Sequence, residues 1–282
     1  MDKFEIEKEV IKEDGIIIGE AALVMHGVIK ECSSVCVSNN NYSYDNIDGY
    51  RVESLDSLIN TIKSKSLINK INVFIRKDNN RSYEDELEDI GINYIAGVDE
   101  VGRGPLIGDV VCSCVVLPKT FKLDGLTDSK KLSEEKRNYY YDIICNNALG
   151  IGIGRCSSIE IDKYNIYEAT KIAMKRAIDD CLTKCKIEHV LIDAMKLDID
   201  IPSTSIVKGD LLSISISAAS IIAKVTRDRD MYELDKKYPM YNFKNNKGYP
   251  TKDHIKAIEE YGILDCHRRS YGPVKSYLDK EK

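Results

Sequence analysis

Two short apolar runs in this chain each end in acids: YIAGVDE (94–100) and HVLID (189–193). Each run has the length of a strand buried on both faces, which needs a sheet covered by helices on both sides. In open α/β sheets the carboxyl ends of such strands form the ligand-binding edge. Burying a carboxylate without a partner costs several kcal/mol, so two acids at one buried edge call for a cation between them. That requirement narrows the folds open to the chain more than any other feature.

The rest of the chain from residue 93 fits such a sheet. DVVCSCVVL (109–117) and the glycine-rich LGIGIGRC (149–156) read as further strands, and SIVKGD (205–210) as another. Ser133 is the expected N-cap of a helix running to about Ala148, with Glu134 and Glu135 in its first turn. Ile166, Ala169, Ile172, Ala173 and Ile178 mark a helix running towards Cys185, and a long helix is expected from about Leu212 to Lys237. Thr251 starts another, ending near Tyr261. Early strands lie close enough in sequence to pair antiparallel, and later ones are separated by helices, so the fold expected is a mixed α/β sheet.

The first 80 residues read as a small accessory α/β domain. Strands are expected at 16–18, 21–29, 34–37 and 71–77, a polar loop at 39–49 and a helix around Leu55–Ile62. Residues 81–92 are polar and acidic and read as a linker, with a short helix in SYEDELED, ahead of a catalytic domain at 93–282. Charge divides the same way: residues 1–92 hold 11 Lys/Arg against 18 Asp/Glu, and residues 93–282 hold 30 against 28. A phosphate-rich partner would be drawn to the later part.

No run reaches the ~18–20 apolar residues of a membrane-spanning helix, and the charged N-terminus lacks a signal-peptide core. The cytoplasm is the expected compartment, with no membrane partner, and a monomer the expected state. Nine cysteines show no C-x-x-C spacing. Cys112 and Cys114 alternate along an apolar strand and read as small core residues.

Asp99, Glu100 and Asp193 end strands, and Asp210 opens a helix where the dipole tolerates negative charge. Oxygen-only donors suit Mg²⁺ or Mn²⁺ rather than zinc. On spacing alone, solvated strand ends, a turn residue and a helix cap account for these four positions equally well.

A series of ordered motifs adds a second line of inference. GVDEVGRGPL, DSKKLS, YNIYEATKIAM, LIDA, IVKGD, SAASIIAKVTRDR, KGYPTKDH and HRRSYGPV span nearly all of residues 93–274, and in this order they resemble bacterial ribonuclease HII. The resemblance implies a ribonuclease-H-like mixed sheet flanked by helices, with Mg²⁺ or Mn²⁺ as cofactor. It implies cleavage of the RNA strand of RNA/DNA hybrids and nicking of DNA 5′ of a single embedded ribonucleotide. It further implies that Asp99, Glu100, Asp193 and Asp210 are the catalytic metal ligands. Gly102, Arg103 and Gly104 would read the 2′-hydroxyl, the group that distinguishes RNA from DNA, and Tyr249 would pack on the deoxyribose that follows the ribonucleotide. Lys130 and Lys131, with Lys224 and Arg227, are candidates for phosphate contacts. His254 and His267 fall inside the motifs and read as structural.

Two positions depart from the family pattern. Asp109 stands where proline is usual, and Ala194 where many members have glycine after the aspartate. The N-terminal extension suggests ribonuclease HIII as a rival, but that family carries Gly-Thr-Gly where this chain has Gly-Arg-Gly. A non-catalytic hybrid-binding protein is the rival outside enzymes, and the presence of all four acids argues against it.

Overall fold

The computed structural model describes residues 81–123 and 132–280, together with four short strands earlier in the chain. The chain divides into two compact units, Met1–Asn79 and Asn80–Lys282.

In the first unit, β1 (Ile16–Ile18), β2 (Ser34–Ser38), β3 (Asn46–Ile47) and β4 (Tyr50–Val52) form a sheet of order β1-β2-β4-β3. β1 and β2 lie where apolar runs predict strands. β3 falls inside the stretch read as a polar loop, and β4 follows it directly. The strands expected at 21–29 and 71–77 and the helix expected around Leu55–Ile62 lie outside the described residues.

The second unit is a five-stranded mixed sheet of order β7-β6-β5-β8-β9, formed by β5 (Ile95–Val101), β6 (Val110–Val116), β7 (Gly150–Cys156), β8 (His189–Asp193) and β9 (Ser203–Ile206). β5, β6 and β7 pair antiparallel as a meander, whereas β8 and β9 run parallel to β5. β8 is parallel because the helices α3 (Ser158–Tyr164) and α4 (Ile166–Leu182) carry the chain back across the sheet from β7, and β9 follows β8 through residues 194–202.

β6 is buried along its whole length because both faces are covered. Val110, Cys112, Cys114 and Val116 face α4, and Val115 faces the other layer, built from α2 (Glu134–Asn147) and the long α6 (Ile214–Lys237). Each buried valine contributes roughly 1.5–3 kcal/mol, and the two cysteines serve as small core residues. The glycines of β7 face α4. A Cβ on Gly154 would lie 1.9 Å from the Ala173 carbonyl oxygen, so this strand accepts the helix at backbone distance.

Local signals set the helix starts. The Ser133 side chain accepts from Lys136 N–H at the start of α2, and Thr251 does the same from His254 N–H for α8 (Lys252–Tyr261). Asp210 does not open the long helix. It lies in a separate turn, α5 (Gly209–Leu212), and Ser213 then caps α6. The stretch read as a linker forms α1 (Ser82–Asp89), whose Tyr83 and Leu87, one turn apart, pack with Ile92 against Ile95, Leu191, Ile206 and Ile216. Two short helices complete the unit, α7 (Phe243–Asn246) and α9 (Gly272–Lys280).

Candidate active site

The parallel register of β5 and β8 places Val98 beside Ile192, so Asp99 and Asp193 follow one residue later at the same sheet edge. Asp99 is only 5% exposed, and its Oδ1 accepts from Glu100 N–H at 2.6 Å. Burial raises its carboxyl well above the usual range, and the neighbouring charges of Glu100 and Asp193 raise it further. The Asp193 Oδ1 accepts from Gly209 N–H at 2.8 Å, which ties the α5 turn to the end of β8. Asp210, the next residue, is brought to the same edge by that bond. Its own carbonyl is held by the Ser217 hydroxyl at 2.7 Å.

Asp99, Glu100 and Asp193 therefore act on one another at the carboxyl end of the β5/β8 pair, and Asp210 follows directly on the Gly209 that Asp193 holds. Among the described residues, no three His, Cys, Asp or Glu side chains close into a preformed metal cage. The donors fit a hard divalent cation nonetheless: they are carboxylate oxygens, and a buried carboxyl facing two like charges is relieved by positive charge.

Immediately beyond β5 the chain turns through Gly102, at φ +93°, where a Cβ would lie 2.3 Å from Arg227 Nε. The Arg103 side chain is 43% exposed and reaches Glu100 Oε1 at 3.4 Å. A Cβ on Gly104 would touch the Tyr249 ring at 3.3 Å, so the loop and the tyrosine, 145 positions apart in sequence, face each other. Tyr249 is 42% exposed. Lys130 and Lys131 lie outside the described residues.

Two buried guanidinium groups brace this loop. Arg268, fully buried, donates to the carbonyls of Gly102 at 2.6 Å, Gly108 at 3.0 Å and Arg103 at 3.1 Å. Arg227 donates to Lys247 at 3.0 Å, Ile107 at 3.3 Å and Asp109 at 3.4 Å, again through backbone carbonyls. Desolvation pulls the Arg227 guanidinium down to about 10. The expectation that Arg227 contacts phosphate is thus corrected: it is 1% exposed and spent on the loop's own backbone. Lys224 is engaged with Asp228 at 2.6 Å. Asp109 is no member of the acid cluster either, since its carboxylate lies 3.7 Å from Arg155, which also pairs with Asp230.

Glu84, in the acidic stretch ahead of β5, supports the site from the other side. Its Oε1 accepts from the Ser213 hydroxyl at 2.6 Å and Ser215 N–H at 3.0 Å, at the start of α6, and its Oε2 is buried without a partner. Burial raises its carboxyl above the usual range. Neither Arg268 nor Glu84 stood out in the sequence, where both lie among like charges.

The family model of ribonuclease HII matches residues 96–274. Ribonuclease HII of Bacillus mycoides (strain KBAB4) is 57% identical over 198 residues, 70% of this chain and 76% of that protein. The chain belongs to the ribonuclease HII family. Ribonuclease HII of Bacillus cereus (strain B4264) is 57% identical over the same length. Among solved structures, ribonuclease H2 from Pyrococcus horikoshii OT3 matches with a TM-score of 0.57 and 24% identity, covering 66% of this chain and 97% of that one. Bst-RNase HIII in complex with Mn²⁺ matches with a TM-score of 0.52 and 17% identity, covering 69% of this chain and 72% of that one. These two likenesses establish the ribonuclease-H-like fold. As a ribonuclease HII family member the chain is a metal-dependent hydrolase of RNA/DNA hybrids, served by Mg²⁺ or Mn²⁺. No helix among the described residues is long and apolar enough to cross a membrane.

Proposed function

We propose that this ribonuclease H nicks duplex DNA on the 5′ side of a single embedded ribonucleotide, as well as cleaving the RNA strand of longer hybrids. The observation that carries this reading is the close approach of Gly104 to the Tyr249 ring, where any Cβ would come within 3.3 Å, directly beyond Asp99 and Glu100. It supports a slot beside the acids that is narrow enough to test one sugar. In this reading Gly102, Arg103 and Gly104 meet the 2′-hydroxyl, and the exposed face of Tyr249 takes the next deoxyribose.

Asp99, Glu100, Asp193 and Asp210 would hold the Mg²⁺ or Mn²⁺ ions, which supply an activated water and charge stabilisation for the leaving oxygen. The protein's own part is positioning. The Gly209 N–H orients Asp193, and Arg103 links Glu100 to the sugar-reading loop. The products would be a 3′-hydroxyl and a 5′-phosphate. Buried free thiols such as Cys112, Cys114 and Cys156 suit a reducing cytoplasm.

The test is cleavage of a DNA duplex with one ribonucleotide, beside an all-DNA duplex and an RNA/DNA hybrid, with Mg²⁺ or Mn²⁺. Nicking at the single ribonucleotide and none in all-DNA is expected. Cutting of the hybrid alone would favour a ribonuclease HIII-like preference and overturn the proposal. Asp193→Asn should abolish cleavage with the fold retained, and surviving activity would remove Asp193 from the metal site.

A further inference from the structure

His254 and His267 are buried, 0% and 1% exposed, and their Nε2 atoms lie 3.2 Å apart. Their outer partners assign every proton in the pair. His254 Nδ1 faces the Tyr249 carbonyl at 3.0 Å, and a carbonyl only accepts, so Nδ1 carries hydrogen. His267 Nδ1 accepts from Leu264 N–H at 2.8 Å, so its hydrogen sits on Nε2. The Nε2–H of His267 then donates to the bare Nε2 of His254. The result is one directed chain, from Leu264 N–H through both rings to the Tyr249 carbonyl.

An added proton breaks this chain on either ring. On His254 it sets N–H against N–H at 3.2 Å, and on His267 it sets Nδ1–H against Leu264 N–H. Burial lowers both rings below the usual histidine range, His267 to about 4 with the His254 ring contributing. Both are therefore neutral at pH 7.

The two ends of the chain meet the two sides of the sugar slot. His267 pairs its backbone with Ile107, and Arg268 N–H donates to the Leu106 carbonyl at 2.8 Å, three and two residues beyond Gly104. Tyr249 hangs from the other end, its carbonyl also accepting from Thr251 N–H at 2.8 Å. The rings sit among Tyr241 and Phe243, with His254 edge-on to both, which prevents them from tilting away.

We propose that His254 and His267 are positioning residues, a neutral imidazole strut that sets the gap between the Gly102–Gly104 loop and the Tyr249 ring. This rests on the reading of Tyr249 as a sugar contact. The strut makes the recognition of the sugar, rather than the hydrolytic step, depend on a hydrogen-bond chain buried behind it.

Two measurements test it. Long-range ¹H–¹⁵N spectra of the intact protein at neutral pH should show His254 as the Nδ1–H tautomer and His267 as the Nε2–H tautomer. The opposite tautomer on either ring, or a charged ring, overturns the strut. His254→Phe keeps the ring volume and loses the chain, so KM for the single-ribonucleotide duplex should rise about tenfold, the equivalent of one buried hydrogen bond, with kcat changed less than about twofold. His254→Asn, whose amide nitrogen can replace Nδ1 but cannot reach His267 Nε2, should recover only part of that loss. In a Tyr249→Ala background His254→Phe should add nothing, and an additive effect overturns the proposal. If Tyr249→Ala leaves KM unchanged, the sugar contact fails instead. The strut is then decided by the tautomers and by whether His254→Phe moves the Tyr249 ring resonances.

Discussion

Replacing Arg268 with Met isolates what the buried guanidinium does for the loop beyond Asp99–Glu100. Methionine keeps most of the apolar stem and removes the donors to Gly102, Gly108 and Arg103. The Arg103 carbonyl retains the Tyr271 hydroxyl at 2.5 Å, so two buried carbonyls are stranded. At about 1–3 kcal/mol for each buried group left without its donor, the gross loss is about 2–6 kcal/mol. Removing a guanidinium that burial already disfavours offsets part of this, since desolvation lowers its pKa. The net destabilisation expected is about 2–4 kcal/mol, or a Tm lower by roughly 5–15 °C for a unit of this size. Urea unfolding should show a lower midpoint with an unchanged slope. Arg268→Lys should fall between the two, because one ammonium cannot span three carbonyls. A midpoint for Arg268→Met within about 0.5 kcal/mol of wild type would refute the bracing role.

Gly102→Ala should cost about 2–5 kcal/mol, combining positive-φ strain with a Cβ driven into the immobile Arg227 side chain; a neutral result in the same urea assay would contradict the loop geometry. Ala194 sits at φ +49° directly after Asp193, so Ala194→Gly should stabilise by about 0.5–1 kcal/mol, the relief of strain exceeding the added chain entropy, and no gain would count against that conformation. His267 titrates at about 4 when folded and about 6.5 when unfolded. Its contribution is therefore fully present above about pH 6.5 and lost as pH falls towards 4, about 3 kcal/mol in all. The stability difference between wild type and His267→Phe, followed by urea unfolding over that window, should shrink accordingly, and a difference independent of pH would refute the assignment.

Much of the site was legible because it is built from local signals. The runs ending in Asp99–Glu100 and Asp193 become adjacent parallel strands, since burial on both faces needs helices above and below and the acids then share one edge. Ser133 and Thr251 cap helices where their spacing predicts. The boundary at Asp210 is hidden in sequence because a four-residue turn and the helix after it present one continuous apolar pattern, broken only by the Ser213 cap. The short helix expected in SYEDELED forms, and Tyr83 and Leu87, too few to mark an apolar stripe in sequence, suffice to dock it on the sheet.

The sequence by itself determined the strands of the main sheet, the strand-end acids Asp99, Glu100 and Asp193 and the motifs that mark the family, all properties of neighbouring residues and their periodicity. Tertiary structure alone decided which charges are solvated and which are structural. Arg227 reads in sequence as a candidate for phosphate and Arg268 as one of two adjacent arginines, yet each closes on carbonyls more than a hundred positions away. Glu84 lies in an acidic stretch and finds Ser213 at a separation of 129 residues. His254 and His267 carry no sign of each other until the helix α8 and the loop after it bring their rings together. A charged or polar side chain leaves the same mark in sequence whether its partner is water or a distant backbone, and only the folded chain supplies the partner.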